Sequence, residues 1–212
     1  MDRAEVFHWL GDTHDVPRET LDRLDRYVAM LGEENTRQNL IARSTVPDIW
    51  DRHIRDSAQL LELAPPDKRG GRWLDLGSGP GLPGIVLALI GEMRMTLVES
   101  RRRRAEFLER AVDELALGGR VTVEGMRLQR VAPFPADVIA ARAFASLPKL
   151  FALALPFARK STLWLLPKGK SVEDELAEAL RLWQGRFETV QSATDPASFI
   201  VCASAVSRKD NR

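Results

Sequence analysis

Apolar positions change period once along this chain, near residue 70. The first 66 residues read as helical. Leu21, Leu24, Val28 and Leu31 recur at helical spacing, and Gly32 is placed to end that helix. Ile49, His53, Ile54, Leu60 and Leu61 mark a second helix that Asp48 would cap and Pro65–Pro66 would stop. Asp67 to Gly71 reads as a short loop. Beyond it, short apolar runs alternate with longer periodic ones. Strands are expected at Arg72–Leu76, Met95–Val98, Val121–Val123, Val138–Ala141 and Thr162–Leu166. Helices are expected at Gly84–Ile90, Arg101–Leu117, Leu147–Phe157 and Val172–Trp183, the last opened by Ser171 and Asp174 as a capping box. Phe187–Gln191 and Phe199–Ala203 have no helix between them and form an antiparallel hairpin. The alternation predicts an α/β fold with a doubly wound, mostly parallel sheet. It divides into a helical extension over 1–66, the α/β domain over 67–206 and a polar tail over 207–212.

Composition narrows the functional classes. The chain has 212 residues, 44% of them hydrophobic, enough for one domain with a small appendage. Lys and Arg number 31 against 30 Asp and Glu, so any basic surface is local. One cysteine and three histidines without ligand spacing argue against a disulfide framework or a metal site. The longest apolar run, Ile85 to Ile90, is far too short for a bilayer, and the N-terminus lacks the order of a signal peptide. A cytoplasmic monomer is expected.

The chemistry concentrates in Asp75-Leu-Gly77-Ser78-Gly79-Pro-Gly81-Leu82-Pro83-Gly84, between the first predicted strand and its helix. Nucleotides bind there in α/β sheets. Gly79-x-Gly81-x-x-Gly84 satisfies the dinucleotide fingerprint, which taken alone is weak. Asp75 decides between ligands. A carboxylate at that strand end repels a pyrophosphate and suits the ammonium and sulfonium of S-adenosylmethionine. Glu99 ends the second strand, where it would receive ribose hydroxyls. Pro83 fits the first turn of the following helix.

Other positions are more ambiguous. Arg101, Arg102, Arg103 and Arg104 open a helix against its dipole, which suits either phosphate contact or a solvated basic face. Lys149, Arg159, Lys160, Lys168 and Lys170 would extend such a patch, though each alone reads as a surface residue. Arg142 follows a strand beside the cofactor edge and is a candidate for the active-site rim. His53 reads as a packing histidine, and Cys202 as a small core residue. Gly-x-Ser-x-Gly, a Walker lysine and a helical metal-ligand pair are all missing from the sequence.

Asn39-Leu40, Trp50-x-x-His53-Ile54-x-Asp56-Ser57, Asp75 to Gly84, Glu99-Ser100-x-x-Arg103-Arg104-x-x-Phe107-Leu108, Arg142-Ala-Phe-Ala-Ser146 and Lys168-Gly169 occur in this order. Together they resemble the RsmG (GidB) family, the small-subunit ribosomal RNA guanine-N7 methyltransferases. The resemblance runs from about Leu21 to Cys202. It implies a class I S-adenosylmethionine-dependent methyltransferase fold, seven strands with one antiparallel, behind a helical N-terminal extension. It implies 16S ribosomal RNA, free or in the small-subunit particle, as substrate, with Gly77, Leu82, Leu128, Gln129 and Arg142 against the cofactor. Together with the glycine bend and the two strand-end acids, the candidate cofactor site is Asp75, Gly77, Ser78, Gly79, Gly81, Leu82, Glu99, Ser100, Leu128, Gln129 and Arg142. Gln129 departs from the family, which commonly has Glu there. Guanine N7 carries a lone pair and no proton, so methylation needs no general base. Arg142 and Phe144 are then candidates for positioning the base, Phe144 by stacking or alternatively as a core residue. Arg101–Arg104, Lys149 and Lys168 are candidates for RNA contact. A small-molecule methyltransferase of the same fold, a non-catalytic RNA-binding relic and a nicotinamide dehydrogenase are the competing readings.

Overall fold

A computed structural model describes residues 1–209; part of the expected polar tail, residues 210–212, lies outside them. Helices α1 (Arg3–His14) and α2 (Arg18–Asn35) come first. Asp2 closes a capping box with Glu5 on α1. Gly32 does not end α2, which runs on to Asn35 because the Asn35 carboxamide accepts the Leu40 and Ile41 N–H groups and turns the chain there. The second expected helix is two pieces: a π-helical turn, Trp50–Arg55, and α3 (Asp56–Glu62). α3 ends at Glu62, just ahead of the expected stop at Pro65–Pro66, but the stretch from Asp67 is not a plain loop. Pro66 opens the short α4 (Pro66–Arg69), where its missing N–H has no intrahelical role.

The sheet consists of β1 (Arg72–Leu76), β2 (Arg94–Val98), β3 (Val121–Glu124), β4 (Val138–Ala140), β5 (Leu163–Lys168), β6 (Trp183–Gln191) and β7 (Phe199–Arg208). Its order is β3-β2-β1-β4-β5-β7-β6, and β7 runs antiparallel to both neighbours. Between the strands lie α5 (Gly84–Ile90), α6 (Arg102–Glu114), α7 (Leu147–Ala154) and α8 (Val172–Leu182). Ser171 makes no side-chain cap on α8; its hydroxyl meets Glu175 instead of forming the expected box with Asp174. Pro83 stands at the N-cap of α5, not inside its first turn. β7 continues to Arg208, so Ser207 and Arg208 belong to the sheet rather than to a tail.

Strand alternation sorts the core. Trp73, Met95, Leu97, Val121, Val138 and Leu165 face α1, α2, α3, α5 and α6 in one cluster. Leu74, Leu76, Val98, Ile139, Trp164 and Leu166 face α7 and α8 in the other. The first cluster is continuous from Val6 to Ile200, so the N-terminal helices share a core with the sheet. Chain order reverses between β2-β1 and β4-β5, which opens a crevice at the strands' carboxyl ends.

Gly84 is the tightest packing point beside that crevice. A Cβ there would lie 2.3 Å from Leu97 and 2.7 Å from Asp75 Oδ2. Gly84→Ala is expected to cost about 1–3 kcal/mol through overpacking, read as a lower urea midpoint. An unchanged midpoint would show that α5 shifts freely.

Candidate active site

The loop after β1 packs by its glycines. Gly77, Gly79 and Gly81 have φ of 65°, 56° and 98°, the left-handed region. Gly77 lies under a ring: its Cβ would fall 2.6 Å from Phe144 Cδ2. The Gly77 and Ser78 N–H groups donate to the Val98 carbonyl, which folds the loop back across β2.

Two clefts flank the loop after β4. The smaller, about 340 Å³, is lined by Gly77, Val98, Glu99, Ser100, Leu128 and Gln129, with Arg101, Arg104, Met126, Arg127, Lys149 and Leu153. The larger, about 770 Å³, is lined among others by Leu40, Ile41, Thr45, His53, Asp56, Arg142, Lys168 and Asp195. Ala143, Phe144 and Ala145 belong to both, so this loop is their common wall.

Glu99 is almost fully buried at the smaller cleft. One oxygen accepts the Gly79 N–H at 3.0 Å and the other the Arg101 N–H at 2.7 Å. A carboxylate has about four acceptor sites, so capacity remains for hydroxyls. Leu128 heads a 3₁₀ turn, Leu128–Arg130, that presents Leu128 and Gln129 to the same cleft.

Asp75 is the chief departure from the sequence reading. It is fully buried and lines neither cleft. Alternation puts it on Trp73's face of β1, beneath α5, where Oδ2 accepts the Gly84 N–H at 3.2 Å. Oδ1 has no hydrogen-bond partner. Burial pushes the carboxyl up to about 7, against the Gly84 hydrogen bond and the Arg142 charge. Asp75 anchors α5, and its carboxylate opens onto neither cleft, where the expected ammonium contact would need it. Ser78, Gly79, Gly81 and Leu82 likewise sit beneath the surface, and the loop reaches a cleft only through Gly77.

Arg142 faces the larger cleft, not the smaller one. Nη1 donates to Asp56 Oδ2 at 3.2 Å, and both Nη atoms lie 3.3 Å from His53 Nδ1. His53 is therefore more than packing. Its Nε2 meets Thr45 Oγ1 at 2.8 Å, and that hydroxyl donates to the Ala42 carbonyl. Burial, with the Arg142 and Arg52 charges, lowers the imidazole to about 3. Asp56 also accepts Thr194 Oγ1 at 2.7 Å and Gln59 Nε2 at 2.9 Å, tying it to the β6–β7 loop.

Lys168 is not a free surface cation. Its ammonium reaches the Ala145 carbonyl at 2.7 Å and Glu175 at 2.8 Å, and its side chain is 9% exposed. It pins the shared wall from behind, while Glu175 accepts the Leu147 N–H. Just ahead of these ties Ala143 sits at φ 52°, an uncommon conformation for a residue with a Cβ. Arg101, Arg102 and Arg103 are exposed; Arg102 is paired with Glu106 at 2.7 Å, and of the three only Arg101 lines the smaller cleft. Arg104 is half-buried there, near Gly79 and the Asn39 carbonyl. Lys149 is exposed on the opposite rim. Cys202 is half-buried in β7, and burial pushes its thiol up to about 11, which suits no nucleophile.

Sequence reasoning missed Thr45 and Asp56, and it assigned His53 to packing. The His53-Ile-x-Asp56 spacing carried the signal, since residues three apart share a helix face. Met126, Arg127 and Leu153 had no such signal.

Gly77→Ala is expected to push Phe144 into the shared wall and to strain a left-handed φ. A roughly tenfold or greater loss of S-adenosylmethionine affinity by calorimetry follows, since about 1.4 kcal/mol suffices for tenfold. Unchanged affinity would place the cofactor elsewhere.

The family described as GidB, rRNA small subunit methyltransferase G, matches residues 20–197. A ribosomal RNA small subunit methyltransferase G from Zymomonas mobilis is 49% identical, covering 100% of this chain and 98% of its own length. Its counterpart from Rhizorhabdus wittichii is 53% identical, over 97% and 94%. Among solved structures, an O-methyltransferase from Bacillus cereus in complex with SAH superposes with a TM-score of 0.61 at 15% identity, covering 93% of this chain and 96% of its own. A SAM-dependent methyltransferase from Aquifex aeolicus gives 0.59 at 17%, over 75% and 93%. The fold is that of the class I S-adenosylmethionine-dependent methyltransferases, and the chain belongs to the GidB family of small-subunit ribosomal RNA methyltransferases.

Proposed function

We propose that this protein transfers a methyl group from S-adenosylmethionine to N7 of a guanine in small-subunit (16S) ribosomal RNA. The carrying observation is the pair of adjoining clefts on either side of the Ala143–Ala145 loop. In-line transfer requires the sulfonium methyl and N7 to come into direct contact past the edge of that loop, the N7–methyl bond forming as the sulfur–methyl bond breaks.

The smaller cleft suits the adenosine end of the cofactor. Val98, Met126, Leu128 and Leu153 offer an apolar slot, Glu99 a carboxylate for the ribose, and Gln129 an amide for a base edge. Bare Gly77 leaves its backbone open to close approach. When bound, the cofactor supplies an electrophilic methyl group on a sulfonium. The larger cleft suits the target nucleoside. Arg142 is placed to donate to guanine O6, as arginine does in recognising this base. Phe144 offers a ring edge or face for stacking. Guanine N7 holds no proton, so the residues orient and desolvate; none has to act as a base.

Arg101, Arg104, Arg127 and Lys149 around the smaller cleft, with exposed Arg103 beside them in sequence, favour RNA over a small molecule, because a backbone of phosphates needs several cations and a small-molecule site does not. N7 faces the deep, narrow groove of an RNA helix, so the target is an unpaired or splayed base. Among the described residues no helix is long and apolar enough to cross a membrane. A monomer acting in the cytoplasm is part of the same proposal.

The test is methylation of small-subunit RNA or particles with labelled cofactor, followed by borohydride and aniline cleavage at 7-methylguanine. A new strand break at one guanine is expected. Label incorporation without a break would move the reaction off N7.

A further inference from the structure

His53 and Asp56 line the larger cleft and not the smaller one, and among the described residues they are the side chains that hold Arg142. We propose that His53 is a positioning residue, whose Nδ1 accepts from the Arg142 guanidinium and, with Asp56, fixes how that guanidinium faces the larger cleft. This rests on the reading of that cleft as the guanine site.

The geometry carries it. His53 Nδ1 lies 3.3 Å from each Arg142 Nη atom. The guanidinium has only donors, so Nδ1 must be an acceptor, and the ring proton sits on Nε2. That proton points at Thr45 Oγ1, 2.8 Å away, whose own hydrogen goes to the Ala42 carbonyl at 2.8 Å. Every partner in this chain has one consistent direction. A charged imidazole would have a donor on both sides and would repel Arg142. The groups that enforce the uncharged form are Arg142 from the end of β4 and Arg52 from the same turn; Asp56 on α3 and Asp195 in the β6–β7 loop bear the opposite charge. Asp56 is taken up by Arg142, Thr194 and Gln59, and Asp195 by Arg52 at 3.0 Å. The π-helical turn Trp50–Arg55 delivers the ring. Widening by one residue per hydrogen bond re-aims side chains relative to an α-helix, and such turns concentrate at functional sites.

Ser57 supports the same turn by donating to the His53 carbonyl at 2.6 Å. The ring itself is nearly buried, so solvent does not compete for Nδ1.

The experiment compares His53→Leu, His53→Asn, Arg142→Ala and the double variant His53→Leu/Arg142→Ala in the methylation assay, at saturating cofactor. His53→Leu is expected to lower kcat about 10- to 100-fold, the scale of a misplaced catalytic group. Cofactor affinity by calorimetry should stay within about twofold, since His53 does not line the smaller cleft. His53→Asn keeps an acceptor near the Nδ1 position and should recover most of the loss. The double variant should be no slower than Arg142→Ala alone. Losses that multiply, failure of the asparagine rescue, or a loss confined to cofactor affinity would each overturn the proposal. Histidine ¹⁵N spectra of the full-length protein give a readout that needs no turnover. An Nε2–H ring that stays uncharged down to pH 5, with an Nδ1 shift that moves in Arg142→Ala, is expected. An Nδ1–H ring, or titration near pH 6.5, would refute the assignment. A wild-type protein that shows this spectrum but methylates no RNA would sink the functional reading and leave the His53–Arg142 contact standing.

Discussion

Asp75→Asn should make the protein more stable above pH 7 and erase a loss of stability that the natural chain suffers between about pH 4 and 7. The folded carboxyl is pushed up to about 7 by burial, from an ordinary value of 3.8. Between those values the native state holds a proton that the unfolded chain has released, so raising the pH favours unfolding. Above pH 7 both states are ionised and the loss is complete. Each pH unit is worth about 1.4 kcal/mol, so the interval amounts to roughly 4 kcal/mol. Asparagine does not ionise, and its oxygen can still accept the Gly84 N–H. Its amide nitrogen would occupy the place of the unpartnered Oδ1, so at pH 4.5 the variant should equal the natural protein or fall slightly below it. Urea unfolding of both proteins at pH 4.5 and 8 checks this through the difference between them. His53 adds an opposite slope, because its lowered value makes acid destabilising between 6.5 and about 3, but it cancels in the comparison. Parallel pH profiles would mean that Asp75 is not buried as a carboxylic acid. The same variant should keep its cofactor affinity. A collapse of binding would restore the ammonium contact that the aspartate's position in sequence suggests.

Arg142→Ala should cut methyl transfer about 10²- to 10³-fold at saturating cofactor, the usual consequence of deleting a preorganised donor at a reacting group. Arg142→Lys should recover little, since one ammonium cannot span His53, Asp56 and a base edge together. The fold should survive, because Asp56 keeps its bonds from Thr194 and Gln59. Single-turnover rates on RNA, with circular dichroism as the folding control, decide the matter. Near-normal rates would remove Arg142 from the guanine site. A defect cured by excess cofactor would move it to the cofactor site that the family resemblance implied.

The elements that sequence located well are those whose reason is local. The period of two in β1 and β2, the glycine-rich bend and the i, i+3, i+4 face of α6 are all written in neighbouring residues, and each strand and helix of the sheet lies within a few residues of its expected place. Boundaries slipped where a distant partner decided them. α2 outruns Gly32 because Asn35 caps the turn beyond it, and β7 outruns Ala203 because β6 pairs with it as far as Arg208. The π-helical turn had no local signature, since Ile49, His53 and Ile54 fit an ordinary helical spacing equally well.

The sequence by itself determined the class of the protein. A glycine bend after a first strand, an acid closing the second and six short motifs in one order are constraints on local backbone and ligand chemistry, and they are readable without coordinates. Only the tertiary structure decided which side chains face a cleft. Asp75 stands next to the glycines in the chain but one step of strand alternation turns it under α5. Lys168 stands at a strand end, where Glu175 and the Ala145 carbonyl satisfy it. Thr45, His53 and Asp56 lie far from Arg142 in sequence and become its support only when the N-terminal helices pack onto the sheet. Side-chain direction and pairing are long-range facts, set by burial and by the need to satisfy every buried polar atom, and no window of neighbouring residues contains them.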